Sequence, residues 1–267
     1  MSYCQSPKIS QRKGVIGRII LAVDTCSPRA SLALARDDAL LATLEDNKQL
    51  PHSQTLFANL EEVLTLAQVD LSQVDFLAGN TGPGSFTGVR VGLAALKGVG
   101  QALDRTVIGV DALDLTALAV GFQGSFLVLL EAGRREVYAG LRVVESNGLV
   151  KTIGVDLVSD LTSVVERYQL ELERGTILVS RIAKHSEELA DLARKASRVL
   201  EVLSIPREPA GYRRCDDKNW VMHSVKKSLA PTLAIYTAKL LANGLEPELH
   251  PHYIRPSDAE INLSIQR

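Results

Sequence analysis

The stretch Asn80-Thr81-Gly82-Pro83-Gly84-Ser85-Phe86-Thr87-Gly88-Val89-Arg90-Val91-Gly92 constrains this chain more than any other. Ahead of it, Phe76 to Gly79 reads as a short buried strand. Behind it, Val89 to Ala102 reads as a helix. Gly82, Pro83 and Gly84 preset a tight turn between the two. Ser85 or Thr87 can cap the helix by accepting a backbone N–H bond. A glycine loop that feeds a helix N-terminus is a place where an anion can sit. The loop is not a Walker loop, since no Gly-Lys-Ser/Thr closes it, and its spacing is not Gly-x-Gly-x-x-Gly. Gly84, Gly88, Gly92 and Ala95 recur at near four-residue steps and let another backbone come close. That backbone belongs either to the home domain or to a partner's helix.

Composition limits the rest. The 267 residues are 46% apolar, enough for a full core in one large domain or two ordinary ones. A net charge of −1 gives no overall basic field for nucleic acid, and 4% aromatics argue against a base-stacking platform. Cys4, Cys26 and Cys215 are too few and too scattered for a disulfide framework or a zinc pattern, which points to a reducing cytoplasm. No apolar run has the length of a membrane span, and residues 1–17 lack the apolar segment of a signal peptide. Those residues are expected to be a disordered extension.

The order of elements reads as a repeat. Ile19 to Thr25, Ala30 to Arg36 and Ala39 to Glu45 form three strands of an antiparallel meander. Pro51-His52-Ser53 opens a helix, with Ser53 as its expected N-cap and Leu56, Leu60, Val63, Leu64 and Ala67 as one apolar stripe. The strand at 76–79, the loop and the second helix follow, then a strand at 107–110 and a helix at 112–120. A similar order begins again with strands at 125–131, 136–144 and 149–157. A helix at 161–173, a strand at 176–179 and a helix at 182–200 come next. Residues 205–224 read as a solvated loop. Thr232 to Asn243 is a helix stopped by Gly244, and Pro251 to Pro256 is extended. The expected fold is α/β, with mixed sheets flanked by helices in two lobes that meet near 120–124. The division is 1–17, then 18–121 as the first lobe. Residues 122–267 form the second, whose final helix packs back on the first.

The order, with an acid ending the first strand, resembles the actin, sugar kinase and Hsp70 ATPase superfamily, of ribonuclease H-like fold. Within it, several strings are similar to the TsaB (YeaZ) family. They are Ile20-Leu21-Ala22-Val23-Asp24-Thr25, His52-Ser53, the Gly82 to Gly92 loop and Lys97-Gly98. Glu131 to Tyr138 and Pro251-His252-Tyr253-Ile254-Arg255 fit more weakly. The similarity is concentrated in residues 19–118. It implies a noncatalytic partner of the paralogue TsaD, working with the ATPase TsaE. Together they make N6-threonylcarbamoyladenosine beside the anticodon of tRNAs that read codons starting with A.

The resemblance also implies where chemistry has gone. The catalytic paralogue carries His-x-x-x-His after the fifth strand, and those positions here are Ala112 and Thr116. Asp111 and Asp114 alone are few ligands for a hard cation, and Asp114 is expected to face water or cap the third helix. Kinases of the superfamily touch phosphate or metal where Asp24 stands, so Asp24, Thr25, Gly82, Gly84, Ser85 and Thr87 form the candidate anion set. Asp24 is expected to bond nearby backbone N–H groups instead. The second phosphate loop reads Glu131 to Glu136, an acid departing from the family's usual Asp. No catalytic residue and no metal site are expected, no cofactor is expected on this chain, and ATP and metal are expected on partner subunits. The expected interface comprises His52, Ser53, Leu56, Leu60 and Val63 on the first helix, with Gly88, Val89, Gly92, Leu93, Ala95 and Leu96 on the second. A homodimer through the same face, and tRNA contact only through the complex, go with it. The competing classes are a small-molecule kinase or ATPase and, through Ser53 and His52, a peptidase.

Overall fold

A computed structural model of the chain describes residues 17–27, 29–46, 50–181, 201–203, 221–224 and 228–254. Two mixed sheets form its two halves. In the first, β1 (Ile19–Asp24) pairs antiparallel with β2 (Ser31–Arg36), and β2 with β3 (Ala39–Glu45). On the other side β1 runs parallel to β4 (Phe76–Asn80), and β4 to β5 (Thr106–Val110), giving the order β3-β2-β1-β4-β5. Helices α1 (His52–Ala67) and α2 (Phe86–Leu103) make the connections that parallel strands require.

The period-two alternation of strands sorts this sheet's two faces. Ile19, Leu21 and Val23 of β1, with Leu32 and Leu34 of β2, meet Leu56, Leu60, Val63 and Leu64 of α1 and Val89, Leu93 and Leu96 of α2. Each large side chain buried there contributes about 1.5–3 kcal/mol. The opposite face carries Ala22, Ala33, Ala35 and Ala78 beside Ile20 and Ile108. Small residues there admit α6 (Ala230–Ala242), which lays Leu233, Ala234, Tyr236 and Leu240 on the sheet. The final helix therefore packs on the first sheet, across β1 and β2 above all.

The second sheet, in the order β10-β11-β9-β6-β7-β8 among the described residues, starts with its own meander. It runs β6 (Gly124–Gly133), β7 (Glu136–Val144), β8 (Val150–Asp160). Strands β9 (Ile177–Ser180), β10 (Glu201–Leu203) and β11 (Val221–Ser224) extend it in parallel. Helix α3 (Ala112–Leu118) joins the halves and packs on β6 and β7. Helices α4 (Leu161–Arg167) and α5 (Gln169–Glu173) cover the core around Leu127, Val137, Leu141 and Leu178.

Several expectations need correction. Ser53 is not a cap: α1 starts at His52, Pro51 stands in the cap position two residues ahead of Ser53, and no side chain caps the helix. The helix expected over 161–173 breaks at Tyr168, whose φ of −102° and ψ of 18° leave the helical region. Residues 221–224, expected in a loop, form a strand between β9 and β10. The helix expected at 182–200, residues 205–220 and the extension 1–16 lie outside the described residues.

The glycine row has an internal use. A Cβ on Gly88 would stand 2.0 Å from the carbonyl oxygen of Thr25, and one on Gly92 would stand 2.2 Å from the Thr25 hydroxyl. One on Gly84 would reach Cys26 O at 2.6 Å. The row lets α2 lie against the end of β1, and Gly88 and Gly92 are buried there. Neither glycine is open to a partner's helix. Gly88→Leu should destabilise the isolated chain by about 3 kcal/mol through overpacking, seen as a lower melting temperature. A Gly88→Leu protein that melts with the parent would contradict this packing.

Candidate functional site

Among the described residues, two of the places that gather polar groups bear on function, and the glycine loop is the first. Asp24 is fully buried at the end of β1. Its carboxylate accepts from Cys26 N at 2.9 Å, Asn80 Nδ2 at 2.9 Å and Ser27 Oγ at 3.0 Å. Thr25 Oγ1 donates to Gly88 O at 2.7 Å. Gly82, at a φ of 94° that glycine alone adopts easily, donates its N–H to Asn80 Oδ1 and accepts from Ala112 N. Ser85 is the N-cap of α2, accepting from Gly88 N at 3.2 Å, and its own N–H goes to Cys26 O. The loop's donors at Gly82, Ser85 and Gly88 are thus spent within the fold. Thr87 is exposed on the first turn of α2.

Neighbouring groups show the same inward turn. Burial, with the Asp24 charge added, pushes the Cys26 thiol up, and Cys26 Sγ donates to Asn80 O at 3.2 Å. A buried, protonated thiol is a packing group. The His52 ring sets Nε2 3.2 Å from Ser27 O. Its Nδ1 is buried without a hydrogen-bond partner among the described residues, while Ser53 is exposed.

The expected interface divides. Leu56, Leu60, Val63, Val89, Leu93 and Leu96 fill the home core, and Gly88 and Gly92 lie against Thr25, so none of these eight reaches the surface. Ala95 is half-buried, with Val91 and Val99 along the same side of α2. The apolar side chains that α1 does present are Phe57, 61% exposed, and Leu66, 57% exposed. They flank the buried stripe rather than belong to it. An apolar residue beside a complete stripe was the available signal.

The second place is a cleft of about 540 Å³ where the two halves and the C-terminal segment meet. Asp111 caps α3, accepting from the N–H groups of Leu113 and Asp114. Arg142 of β7, 1% exposed, reaches out of the second sheet to this cap. Its guanidinium forms two 2.7 Å bonds to Asp156 of β8, a direct bond to Asp114 and a 3.4 Å contact with Asp111. A bulge makes this possible. Ala139 pairs with Leu157 and Leu141 with Ile153, so residues 154–156 stand opposite Gly140 alone. A Cβ on Gly140 would fall 2.1 Å from Asp156 Oδ1 and 2.6 Å from Arg142 Nη1. Only glycine leaves that space.

The C-terminal segment closes the cleft. Pro247 O accepts from Gly109 N, Glu248 bridges to Ile108, and His252 N donates to Thr81 O at 2.8 Å. Tyr253 stacks on Phe86 at 5.2 Å, and Arg90 lies 3.8 Å over the Phe86 ring while donating to the Tyr253 hydroxyl. So anchored, His252 donates from Nδ1 to Asp111 and faces Asp156 with Nε2.

The charges perturb each other as this crowding requires. Burial, reinforced by Asp111, pushes the Asp114 carboxyl up to about 6 against the pull of Arg142. Burial disfavours the Arg142 cation, but the bonds to Asp156 and the charges of Asp114 and Asp111 hold its pKa above the usual value. The bond to Asp111 raises His252, with burial opposing. Asp114 was expected to face water or cap α3. It does neither, because Asp111 caps and Arg142 claims Asp114. Ala112 and Thr116, at the two histidine positions of the catalytic paralogue, are buried, and the Thr116 hydroxyl donates to Ala112 O. Arg142, Asp156 and His252 escaped the sequence reading, since three distant segments bring them together.

Comparison with known proteins places this geometry. A family model described as TsaD, tRNA N6-adenosine threonylcarbamoyltransferase, matches residues 47–195. The tRNA threonylcarbamoyladenosine biosynthesis protein TsaB of Escherichia coli is 31% identical over 133 residues, 49% of this chain and 57% of that protein. TsaB of Bacillus subtilis is 32% identical over 141 residues, 51% of this chain and 60% of that protein. An uncharacterised protein of Mycobacterium tuberculosis is 35% identical over 123 residues, 45% of this chain and 56% of that protein. The matches thus span little more than half the length of these relatives. Two solved structures from Pseudomonas aeruginosa share the fold. One, described as similar to peptidase YeaZ, has a TM-score of 0.66 at 22% identity, covering 89% of this chain and all (100%) of that one. The other, YeaZ, has a TM-score of 0.63 at 22% identity, covering 88% and 99%.

The guanidinium of Arg142 serves three carboxylates at once. Arg142→Met removes the cation and leaves them facing one another, which should cost about 3–5 kcal/mol. Urea denaturation of the full chain would read this loss as a lower midpoint. An Arg142→Met midpoint equal to the parent's would contradict the pairing.

Proposed function

The chain belongs to the family of the TsaD, tRNA N6-adenosine threonylcarbamoyltransferase, model, and from that premise we propose a role as a noncatalytic partner subunit in threonylcarbamoyl transfer to tRNA adenosine. The relatives named TsaB bear out the resemblance read from residues 19–118, and the YeaZ structures bear out the α/β fold with its two mixed sheets. The observation that carries the reading is the fate of the glycine loop. In a phosphate-handling relative this loop and the first-strand acid would be turned toward a ligand. Here Asp24, Thr25, Gly82 and Ser85 are each bonded to neighbouring residues of the fold: Cys26, Gly88, Asn80 and Gly88 in turn. The positions of the catalytic histidines are filled by a buried alanine and an internally bonded threonine.

What the chain offers outward is apolar helix surface. In this reading the catalytic sister subunit, TsaD, docks on the outer surface of α1 and α2 beside Ala95, anchored by Phe57 or by Leu66, which lie on opposite flanks of α1, and His52 and Ser53 lie at the edge of the contact. Large apolar anchors in a partner's pockets carry most of the energy of such interfaces. TsaE joins the assembly, ATP and the transferring metal stay with the partners, and tRNA is met through the complex. With a net charge of −1 the chain has little unaided attraction for a polyanion. No helix among the described residues is long and apolar enough to cross a membrane, and the work takes place in the cytoplasm.

Reconstitution with TsaD and TsaE, with and without this chain, tests the role: modified tRNA should form only when it is present. Phe57→Glu and Leu66→Glu, each at a solvent-facing position, should leave melting unchanged. At least one of them should weaken binding to TsaD at least tenfold, about 1.4 kcal/mol. Modification that proceeds equally without the chain would overturn the role. TsaD binding unmoved by both substitutions would overturn the face.

A further inference from the structure

We infer that the cleft binds one divalent transition-metal ion through His252 Nε2 and Asp156 Oδ2, with Asp111 holding the imidazole in place. This site differs in every residue from the histidine pair of the catalytic paralogue, and it stands apart from the partner role proposed above. Three observations point to it.

The first is the orientation of the ring. In the neutral ring, the Nδ1 hydrogen given to the Asp111 carboxylate leaves the Nε2 lone pair as the ligand atom. A carboxylate behind a histidine in this way is the usual support of a metal-bound imidazole, since it fixes both tautomer and direction. Asp111 is itself held by the N–H groups at the start of α3, so the support is rigid.

The second is the separation. Nε2 lies 3.7 Å from Asp156 Oδ2, too far for a hydrogen bond. Two ligand atoms each about 2.1 Å from one ion stand about 3.4 Å apart at the tetrahedral angle, and somewhat farther at wider ones. Ligand atoms of Asp111, Asp156 and His252 all lie within 4.8 Å of one another. The cleft is open to solvent, so water can complete the coordination.

The third is charge. Asp111, Asp114 and Asp156 bring three carboxylates, and Arg142 brings a guanidinium that reaches all three. Three carboxylates against that guanidinium leave an excess of negative charge, which a divalent ion offsets with the neutral His252 ring as its ligand. Arg142 occupies one lone pair on each oxygen of Asp156, but a carboxylate has about four such sites. One imidazole with carboxylate oxygen suits zinc, cobalt or manganese and gives too few oxygens for calcium. Such an ion would fasten the C-terminal segment, through His252, to β8 of the second sheet.

The full-length chain, stripped of metal with chelator and dialysed against cobalt(II), tests the site by stoichiometry and visible absorption. His252→Gln should lose one equivalent of bound cobalt. His250→Gln, which alters an exposed histidine paired with Glu248, should lose none. Asp111→Asn keeps the helix cap, since asparagine caps as well as aspartate, and should weaken the affinity about 10–100-fold. Absence of cobalt binding, or binding that survives His252→Gln in full, would overturn the site. Equal loss in His250→Gln would do so too. Unchanged affinity in Asp111→Asn would overturn the supporting role of Asp111.

Discussion

The contact between Thr25 and the glycines of α2 is the constraint on which the rest of this structure depends. Gly88 and Gly92 place the helix against the end of β1 at a distance that no side chain allows. That approach fixes where α2 runs, and therefore which of its residues meet α1 and the sheet. It also decides the chemistry. Thr25 Oγ1 is committed to Gly88 O, and Asp24 sits just behind it with its carboxylate satisfied by Cys26, Ser27 and Asn80. A loop of this composition can serve a phosphate only if its donors face outward. Here tight packing and internal hydrogen bonds are the same fact.

The joint between the halves is built differently, from charge. Arg142 leaves the second sheet to meet Asp111 and Asp114 at the start of α3, while the β8 bulge turns Asp156 toward it. Separately, each of these groups would be costly to bury. Together they form a network whose members compensate each other, which favours one relative placement of α3, β7 and β8. The C-terminal segment is drawn into it by His252 and held on the other side by Tyr253 against Phe86 and Arg90. The first half thus rests on close backbone packing, the joint on a charged knot, and the final helix ties back onto β1 and β2.

Much of the fold was legible because its signals are local. The unbroken apolar runs Ile19 to Val23 and Leu32 to Ala35 mark strands covered on both faces, and the Leu56-Leu60-Val63 stripe marks a helix on a sheet. The site was legible only in part. The Gly84-Gly88-Gly92 row correctly announced a close approach, but periodicity says nothing about what approaches. The partner turned out to be Thr25 and Cys26, some sixty residues earlier. The same limit applies to Leu93 and Leu96, which look alike whether they face the home core or a partner. Arg142, Asp156 and His252 carry no spacing signal, because their meeting depends on a bulge, a sheet register and a segment returning from the C-terminal end.

The phosphate-type loop of this fold is bonded internally, and the role proposed for the chain is to support another subunit. A thermal-shift titration of the lone full-length protein with MgATP tests it most directly. The melting temperature should not move as nucleotide is raised. A saturable rise of about 5 °C or more, the size expected for a ligand well above its dissociation constant, accompanied by ATP turnover, would contradict it.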